Sequence, residues 1–240
     1  MPRLLLERLR VRDLRNLVEV DFAPAPRVNV ISGNNGHGKT SLLEAIYFAA
    51  TSRSFRTPRP AELLRHGAAQ AVVKARFVEA GAGDATDLPP LAREQVASVG
   101  ARGCAVRIDG NAPKSLAEFA TRSPVIAFHP EELSRSTGPA AGRRTLLDRL
   151  ALFLDPRSAD HRARYTRALK ARQQLLRDGR GGSLASGEID AFEALAAQHG
   201  AALTRARAEA AEALAAELLP AFQQIAAPDL QLEARFEPGG

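Results

Sequence analysis

The chain has 240 residues, of which 45% are hydrophobic and 25% charged, and a formal net charge of +6 at pH 7. A single cysteine, Cys104, excludes a disulfide framework, and the lack of a bilayer-length apolar run excludes a helical membrane protein. With an N-terminus unlike a secretory signal, these features predict a protein of the reducing cytoplasm. The basic charge favours a polyanionic partner, although an arginine-rich composition bias explains it equally well.

The first half of the chain is predicted to be rich in β-strands. Short apolar, partly alternating segments predict strands at residues 4–11, 18–22, 27–32, 71–78, 96–101, 104–108 and 124–128. A helix is predicted from Lys39 to about residue 50. Ser115 followed by Glu118 is a capping-box pattern and predicts a second, short helix.

The segment between the predicted strand 27–32 and the helix at Lys39 matches the P-loop pattern G-x-x-x-x-G-K-[ST] at every fixed position. Its glycines let backbone N–H groups turn toward phosphate oxygens, and the helix directs its positive N-terminal dipole to the same point. Lys39 is predicted to reach the β- and γ-phosphates of a nucleotide, and the Thr40 hydroxyl to ligate Mg²⁺. The predicted nucleotide-binding residues are Gly33, Asn34, Asn35, Gly36, His37, Gly38, Lys39 and Thr40. His37 occupies a variable position, which favours a solvent-exposed loop residue.

The second half of the chain is predicted to be helical. Segments rich in Ala, Leu and Arg predict helices at residues 143–154, 158–177 and 188–219. Pro156, a glycine-rich loop at residues 179–187 and Pro220 are predicted to end them. Residues 230–236 have the pattern of a further strand.

Nucleotide hydrolysis also needs an acidic Mg²⁺ partner on a second strand. The apolar segment ending at Asp155 imitates such a strand, but it continues residues 143–149 without a turn, and we interpret it as a helix end. Residues 184–188 echo an ABC signature loop but lack its paired glycines, so we predict a flexible loop with Ser186 near the start of the next helix. The sequence therefore shows neither a Walker B strand nor a signature loop.

Several motifs together resemble the RecF family of ABC/SMC-like DNA repair ATPases. The family's extended P-loop, G-x-N-G-x-G-K-T-x-L-L-E-A-I, is matched by residues 33–46, and its basic S-F-R-T segment by residues 54–57. Further similarity to family motifs covers residues 9–17, 130–148 and 165–176. The chain departs from the family pattern at Arg135, Ser136, Ala140 and Leu146. The resemblance covers essentially the whole chain, although RecF-like chains continue for more than a hundred further residues.

The resemblance implies an α/β fold of the P-loop NTPase class, an ABC/SMC-type head without its C-terminal return strands. It implies a β-rich, P-loop-containing lobe I over residues 1–135 and a helical lobe II over residues 136–240. ATP and Mg²⁺ are the implied cofactors, and residues 33–40 are the implied ATP site. By the same resemblance, Arg15 and Asn16 either line the nucleotide pocket or form a surface strand end.

The partners are also implied by the resemblance. In that family ATP joins two heads into a homodimer, which binds duplex DNA near gap junctions. With RecR and RecO, it helps to place RecA on single strands during recombinational repair and the SOS response.

Two basic clusters are candidate DNA contacts, with solvated surface as the alternative for each residue. Such side chains neutralise phosphates without reading sequence. The clusters comprise Arg53, Arg56 and Arg59 in one loop, and Arg162, Arg164, Arg167, Lys170 and Arg172 in one predicted helix. Two tyrosines and no tryptophan offer little for stacking on bases, which favours binding to the duplex backbone.

Two functions of different classes remain open at this point. One is an ATP-binding DNA repair protein of RecF type. The other is a truncated, non-catalytic nucleotide-binding regulatory module, favoured by the missing Walker B strand and signature loop. Because those two parts carry hydrolysis, the sequence leaves open whether the chain is an enzyme.

Overall fold

A computed structural model describes residues 3–80, 91–129, 137–178, 186–227 and 229–238. The chain divides into two compact units, Met1–Phe128 and His129–Gly240. The predicted lobe boundary after residue 135, and the family-pattern departures at Arg135 and Ser136, lie outside the described residues. None of the described helices combines the length and the apolar character that a membrane crossing requires.

The first unit is built on an antiparallel sheet of five strands in the spatial order β2-β1-β3-β4-β5. The strands are β1 (Arg3–Leu14), β2 (Leu17–Phe22), β3 (Gln70–Ala80), β4 (Leu91–Gly100) and β5 (Gly103–Ile108). Two helices, α1 (Lys39–Thr51) and α2 (Leu116–Arg122), and a 3₁₀ turn, Pro60–Leu63, complete the unit. These elements confirm the predicted strands at residues 4–11, 18–22, 71–78, 96–101 and 104–108.

Side-chain alternation decides which face of the sheet is buried. Leu9, Val11 and Val73 are almost completely buried and share one core with Phe48 of α1 and Phe119 of α2. The residues between them in each strand point to the other face, since successive side chains of a strand alternate. One face of the sheet is therefore apolar and covered by helices, and the other is polar and exposed.

The predicted helix at Ser115 is confirmed, with one of the two hydrogen bonds of its capping box. The Ser115 hydroxyl accepts a hydrogen bond from the Glu118 backbone N–H at 3.1 Å. The Glu118 carboxylate in turn accepts from the backbone N–H of Lys114 at 2.7 Å. The Glu118 N–H, a donor that a helix start would leave unsatisfied, is thus paired, and the Glu118 carboxylate binds the residue before the N-cap instead of the N-cap itself.

The predicted strands at residues 27–32 and 124–128 are wrong. Neither segment forms a strand or pairs with one in the described part of the chain. Their apolar side chains are correspondingly exposed, with Val30 87% and Ile126 94% accessible. A strand exists only where a neighbour accepts its backbone hydrogen bonds, and the apolar pattern does not say whether one is present.

The second unit consists of three helices, α3 (Ala140–Leu154), α4 (Ser158–Asp178) and α5 (Ser186–Ile225). Asp155 caps the C-terminus of α3, which confirms the helix end expected there. The predicted end of the last helix at Pro220 is wrong, because α5 continues through it to Ile225. Proline removes one intrahelical hydrogen bond, and here the helical bonding resumes beyond it. Residues 230–236 form no strand.

One carboxylate joins the three helices of this unit. Asp148 of α3, whose side chain is only 4% exposed, accepts hydrogen bonds of 2.6 and 3.1 Å from Arg207 of α5. Arg162 of α4 forms an ion pair with the same carboxylate at 3.2 Å. The buried charge is thereby compensated from two sides, as a stable buried ion pair requires.

Candidate nucleotide-binding site

The loop at residues 33–38 leads into α1 through glycines with left-handed backbone. Gly36 and Gly38 have φ of 84° and 88°, a region that glycine adopts without steric cost. A Cβ atom at Gly38 would lie 2.7 Å from the Leu17 side chain. A Cβ atom at Gly36 would have no neighbouring atom within 4 Å. Gly38 therefore serves both the turn and the close approach of the β1–β2 turn to the loop.

Lys39 is held over the loop by backbone carbonyls. Its Nζ donates to the Gly33 carbonyl at 2.7 Å and to the Asn34 carbonyl at 2.8 Å. An ammonium group has three N–H donors, so one is left for an anion in front of the loop. The first helical bond of α1, from Leu42 N–H to the Gly38 carbonyl at 2.8 Å, leaves the preceding N–H groups at the helix start open to a ligand.

The remaining predicted residues lie on the same exposed surface. Asn34, Asn35 and His37 are exposed, which confirms the exposed position expected for His37. Thr40 is also exposed, and its hydroxyl makes no hydrogen bond to any described residue. No three His, Cys, Asp or Glu side chains among the described residues are arranged to hold a metal ion. The exposed Thr40 hydroxyl is an oxygen ligand of the kind that suits Mg²⁺, which is usually held by few protein ligands together with substrate phosphates and water.

Asn16 supports the loop from the β1–β2 turn. Its side-chain N–H donates to the Gly36 carbonyl at 2.7 Å, and its side-chain oxygen accepts from the Ser41 hydroxyl at 2.8 Å. One amide therefore connects the turn, the loop and the first turn of α1. The sequence left two roles open for Asn16, and the structure places it in contact with the loop.

Arg15, the other residue of that turn, contacts α1 instead of the loop. Its guanidinium donates two hydrogen bonds of 2.9 Å to the carboxylate of Glu44, which is completely buried. Glu44 also accepts from the Ser54 hydroxyl and pairs with Arg56 at 3.5 Å. Burial alone would raise the pKa of Glu44, but the hydrogen bonds from Arg15 and Ser54 and the two positive charges hold that pKa below its usual value.

From the sequence, Glu44 and Ser54 were noted only as positions within the two family motifs, and the contact between them was not predicted. A single charged residue inside the apolar run of α1 was the available signal, because a charge in such a position is tolerated only when it is paired. Its partners lie 29 and 10 residues away in the chain, so spacing could not identify them.

The two predicted basic clusters are largely paired within the chain. In the loop, Arg56 pairs with Glu44 and Arg59 with Glu62. In the helical unit, Arg162 pairs with Asp148, Arg164 with Asp160, and Arg172 with Glu193. Five of these eight cations thus have a carboxylate neighbour, but only the pairs with Glu44 and Asp148 involve a buried carboxylate, and the others are exposed pairs.

Comparison with known proteins gives consistent results. A family profile described as an AAA domain matches residues 8–80. The DNA replication and repair protein RecF of Anaeromyxobacter sp. (strain Fw109-5) is 38% identical over 229 residues, which are 95% of this chain and 58% of that protein. RecF of Arthrobacter sp. (strain FB24) is 34% identical over 223 residues, 92% of this chain and 54% of that protein.

Two solved structures share the fold. They are described as the recombination mediator protein RecF in the RecFOR pathway, one with ATPrS and one with ATP. Each superposes with a TM-score of 0.81 over 92% of this chain and 58% of the other, at 24% and 23% sequence identity. The chain thus spans less than two-thirds of the length of the curated relatives it matches. Over the part that it spans, the chain is similar in sequence to proteins named RecF, and it shares the α/β P-loop fold of the two solved RecF structures.

Proposed function

We propose that the chain acts as a RecF-type DNA repair protein of the cytoplasm, which binds ATP at residues 33–40 and whose affinity for duplex or gapped DNA depends on that nucleotide. The geometry of the loop is the observation that supports this most directly. Lys39 Nζ binds the carbonyls of Gly33 and Asn34, and the left-handed Gly36 and Gly38 lead directly into the start of α1. The curated relatives carry the name of a DNA replication and repair protein.

Each residue of the loop has a separate task in this proposal. The N–H groups around Gly36 and Gly38 and the free donor of Lys39 bind the phosphate oxygens. The Thr40 hydroxyl ligates Mg²⁺, which neutralises charge on the β- and γ-phosphates when it is bound. Asn16 and Ser41 keep the loop in the binding conformation through the contacts already described.

The partners follow from the family. We propose that ATP promotes association of two such heads and that the protein works with RecR- and RecO-like mediators to place RecA on single strands during recombination and the SOS response. The naming of a solved relative as a recombination mediator in the RecFOR pathway supports this assignment.

The test is the affinity for duplex DNA with and without ATP and Mg²⁺, in the wild type, Lys39→Met and Lys114→Met. Lys114 is an exposed lysine of the same unit outside the loop and controls for loss of a positive charge. We expect ATP to raise the affinity of the wild type and of Lys114→Met by about 5- to 150-fold, the usual range of coupling between two sites. Lys39→Met is expected to lose the increase. An equal response of all three proteins would contradict the proposal.

A further inference from the structure

Positively charged residues face each other across the neighbouring strands β1 and β3. The register places Arg8 opposite Arg76 and Arg10 opposite Lys74. All four side chains are exposed, because their neighbours Leu9 and Ala75 fill the buried face. In an antiparallel pair, directly opposite residues point to the same face of the sheet. Four cations therefore meet in the centre of the exposed face.

Two further arginines extend this group. Arg12 is the next outward residue of β1, and Arg107 of β5 lies in the same row as Lys74, joined to it through Val96. We call these six residues the basic face: Arg8, Arg10, Arg12, Lys74, Arg76 and Arg107. From the spacing of residues and strands in a sheet, the basic face measures about 14 Å along β1 and about 14 Å across from β1 to β5.

Pairing stability does not account for this arrangement. Like charges directly opposite each other weaken an antiparallel pair, whereas opposite charges strengthen it. On the flanking strands, Asp21 lies opposite Arg10 and Glu94 opposite Arg76, which offsets part of this cost, but the two successive like-charged pairs between β1 and β3 remain. A polyanion bound across β1 and β3 would turn this repulsion into attraction.

Carboxylates lie near most cations of the basic face, and for Arg12 they are Glu19, directly opposite on β2, and Asp13 at 3.6 Å. Asp21, on the edge strand β2, binds Arg8 at 2.7 and 2.6 Å and Arg10 at 3.3 Å, and Glu7 pairs with Arg76. The side chains in these pairs are roughly half exposed, and exposed ion pairs are weak, so phosphate can replace the carboxylate. Lys74 has no carboxylate partner in the described part of the chain.

We propose that the basic face binds the phosphate backbone of duplex DNA. This inference rests on the proposed DNA-binding function and adds the surface that carries it. The aromatic residues of these strands, Phe22 and Phe77, lie on the inner face, so the basic face offers no ring on which an unpaired base could stack. In the helical unit, by contrast, Arg162 is paired with the buried Asp148 and is less free to leave its carboxylate.

The experiment compares Lys74→Gln and the double variant Lys74→Gln/Arg76→Gln with two matched lysine controls in the full chain. Lys114→Gln removes an exposed lysine of the same unit, and Lys170→Gln removes one from the basic helix α4. Affinity for duplex DNA is measured with ATP at several salt concentrations, and the melting temperature of each protein is recorded.

We expect Lys74→Gln to bind about eightfold more weakly at 0.1 M salt, and the slope of log affinity against log salt to become shallower by about 0.9. The double variant is expected to lose about 60-fold and about 1.8 in slope, as two phosphate contacts require. Lys114→Gln and Lys170→Gln should keep the wild-type affinity and salt slope. The melting temperature of Lys74→Gln should stay equal or rise, because a like-charge pair is removed, and this separates lost binding from lost folding.

If the affinity for duplex DNA falls in Lys39→Met but not in Lys74→Gln or the double variant, this inference is overturned and the proposed function is left intact. If only Lys170→Gln loses affinity for duplex DNA, the DNA contact lies in the helical unit and this inference is also overturned. If Lys74→Gln and the double variant lose more affinity for single-stranded DNA than for duplex DNA, the assignment of duplex DNA is contradicted. Absence of wild-type binding to any DNA would instead overturn the proposed function itself.

Discussion

Arg15, at the turn between β1 and β2, holds the buried carboxylate of Glu44 in α1 by two parallel hydrogen bonds of 2.9 Å. The same guanidinium donates to the Glu62 carbonyl at 2.6 Å, so it connects the turn, the P-loop helix and the 3₁₀ turn. Its sequence neighbour Asn16 binds the loop directly. Two consecutive residues of one turn thus position both the nucleotide loop and the helix that follows it.

Removing the carboxylate of this pair should destabilise the first unit strongly. Glu44→Ala leaves the guanidinium of Arg15, whose side chain is 21% exposed, without its partner. Loss of one member of a buried ion pair costs about 3–5 kcal/mol of unfolding free energy. Glu62→Ala, which removes the exposed partner of Arg59, should cost less than about 1 kcal/mol. Urea denaturation at pH 7 measures both, and equal values would show that Glu44 does not act as a buried pair.

Glu44 should also make stability depend on pH. Its pKa in the folded chain is held below the usual value, so the unfolded chain takes up this proton first as the pH falls. The stabilisation is complete above the ordinary glutamate pKa of about 4.3 and is lost as the pH falls through the lower folded value. We expect the urea midpoint of the wild type to drop as the pH falls below the ordinary glutamate pKa, and the drop to be smaller in Glu44→Gln. Identical pH profiles would contradict this.

Two glycines of the loop offer a matched test of close packing. Gly36 and Gly38 have nearly the same φ, so alanine at either position carries a similar backbone cost, about 1–2 kcal/mol. Only at Gly38 would the new Cβ collide with Leu17 and press on the Asn16 side chain. Gly38→Ala should therefore lower ATP affinity by about tenfold or more relative to Gly36→Ala, a difference of at least about 1.4 kcal/mol. Calorimetric titration with ATP compares them, and equal affinities would rule out this role for the contact.

The helical unit should depend on Asp148. Asp148→Ala leaves Arg207 and Arg162 without the carboxylate that joins them, and we expect a loss of about 3 kcal/mol in unfolding free energy. Asp160→Ala removes a carboxylate from an exposed pair with Arg164 in the same unit and should cost about 0.5 kcal/mol or less. Circular dichroism during denaturation follows both variants. Similar losses would show that Asp148 is not the central connection of the three helices.

Local patterns in the sequence predicted much of this architecture. Five of the predicted strands, α1, the capped start of α2 and the helix that ends at Asp155 all follow from periodicity and capping within about ten residues. The expectations that failed depend on distant parts of the chain. Residues 27–32 and 124–128 have the apolar pattern of strands, but no described strand pairs with them, and α5 passes Pro220.

The P-loop pattern of residues 33–40 could be recognised from the sequence itself, because its glycines, Lys39 and Thr40 lie within one short loop. The tertiary structure alone decided which charges are satisfied. Glu44 meets Arg15 across 29 residues, Asp148 meets Arg207 across 59, and the register of β1 on β3 sets Arg10 against Lys74. A charge acts on whatever lies within a few ångströms of it, and only the folded chain determines those neighbours.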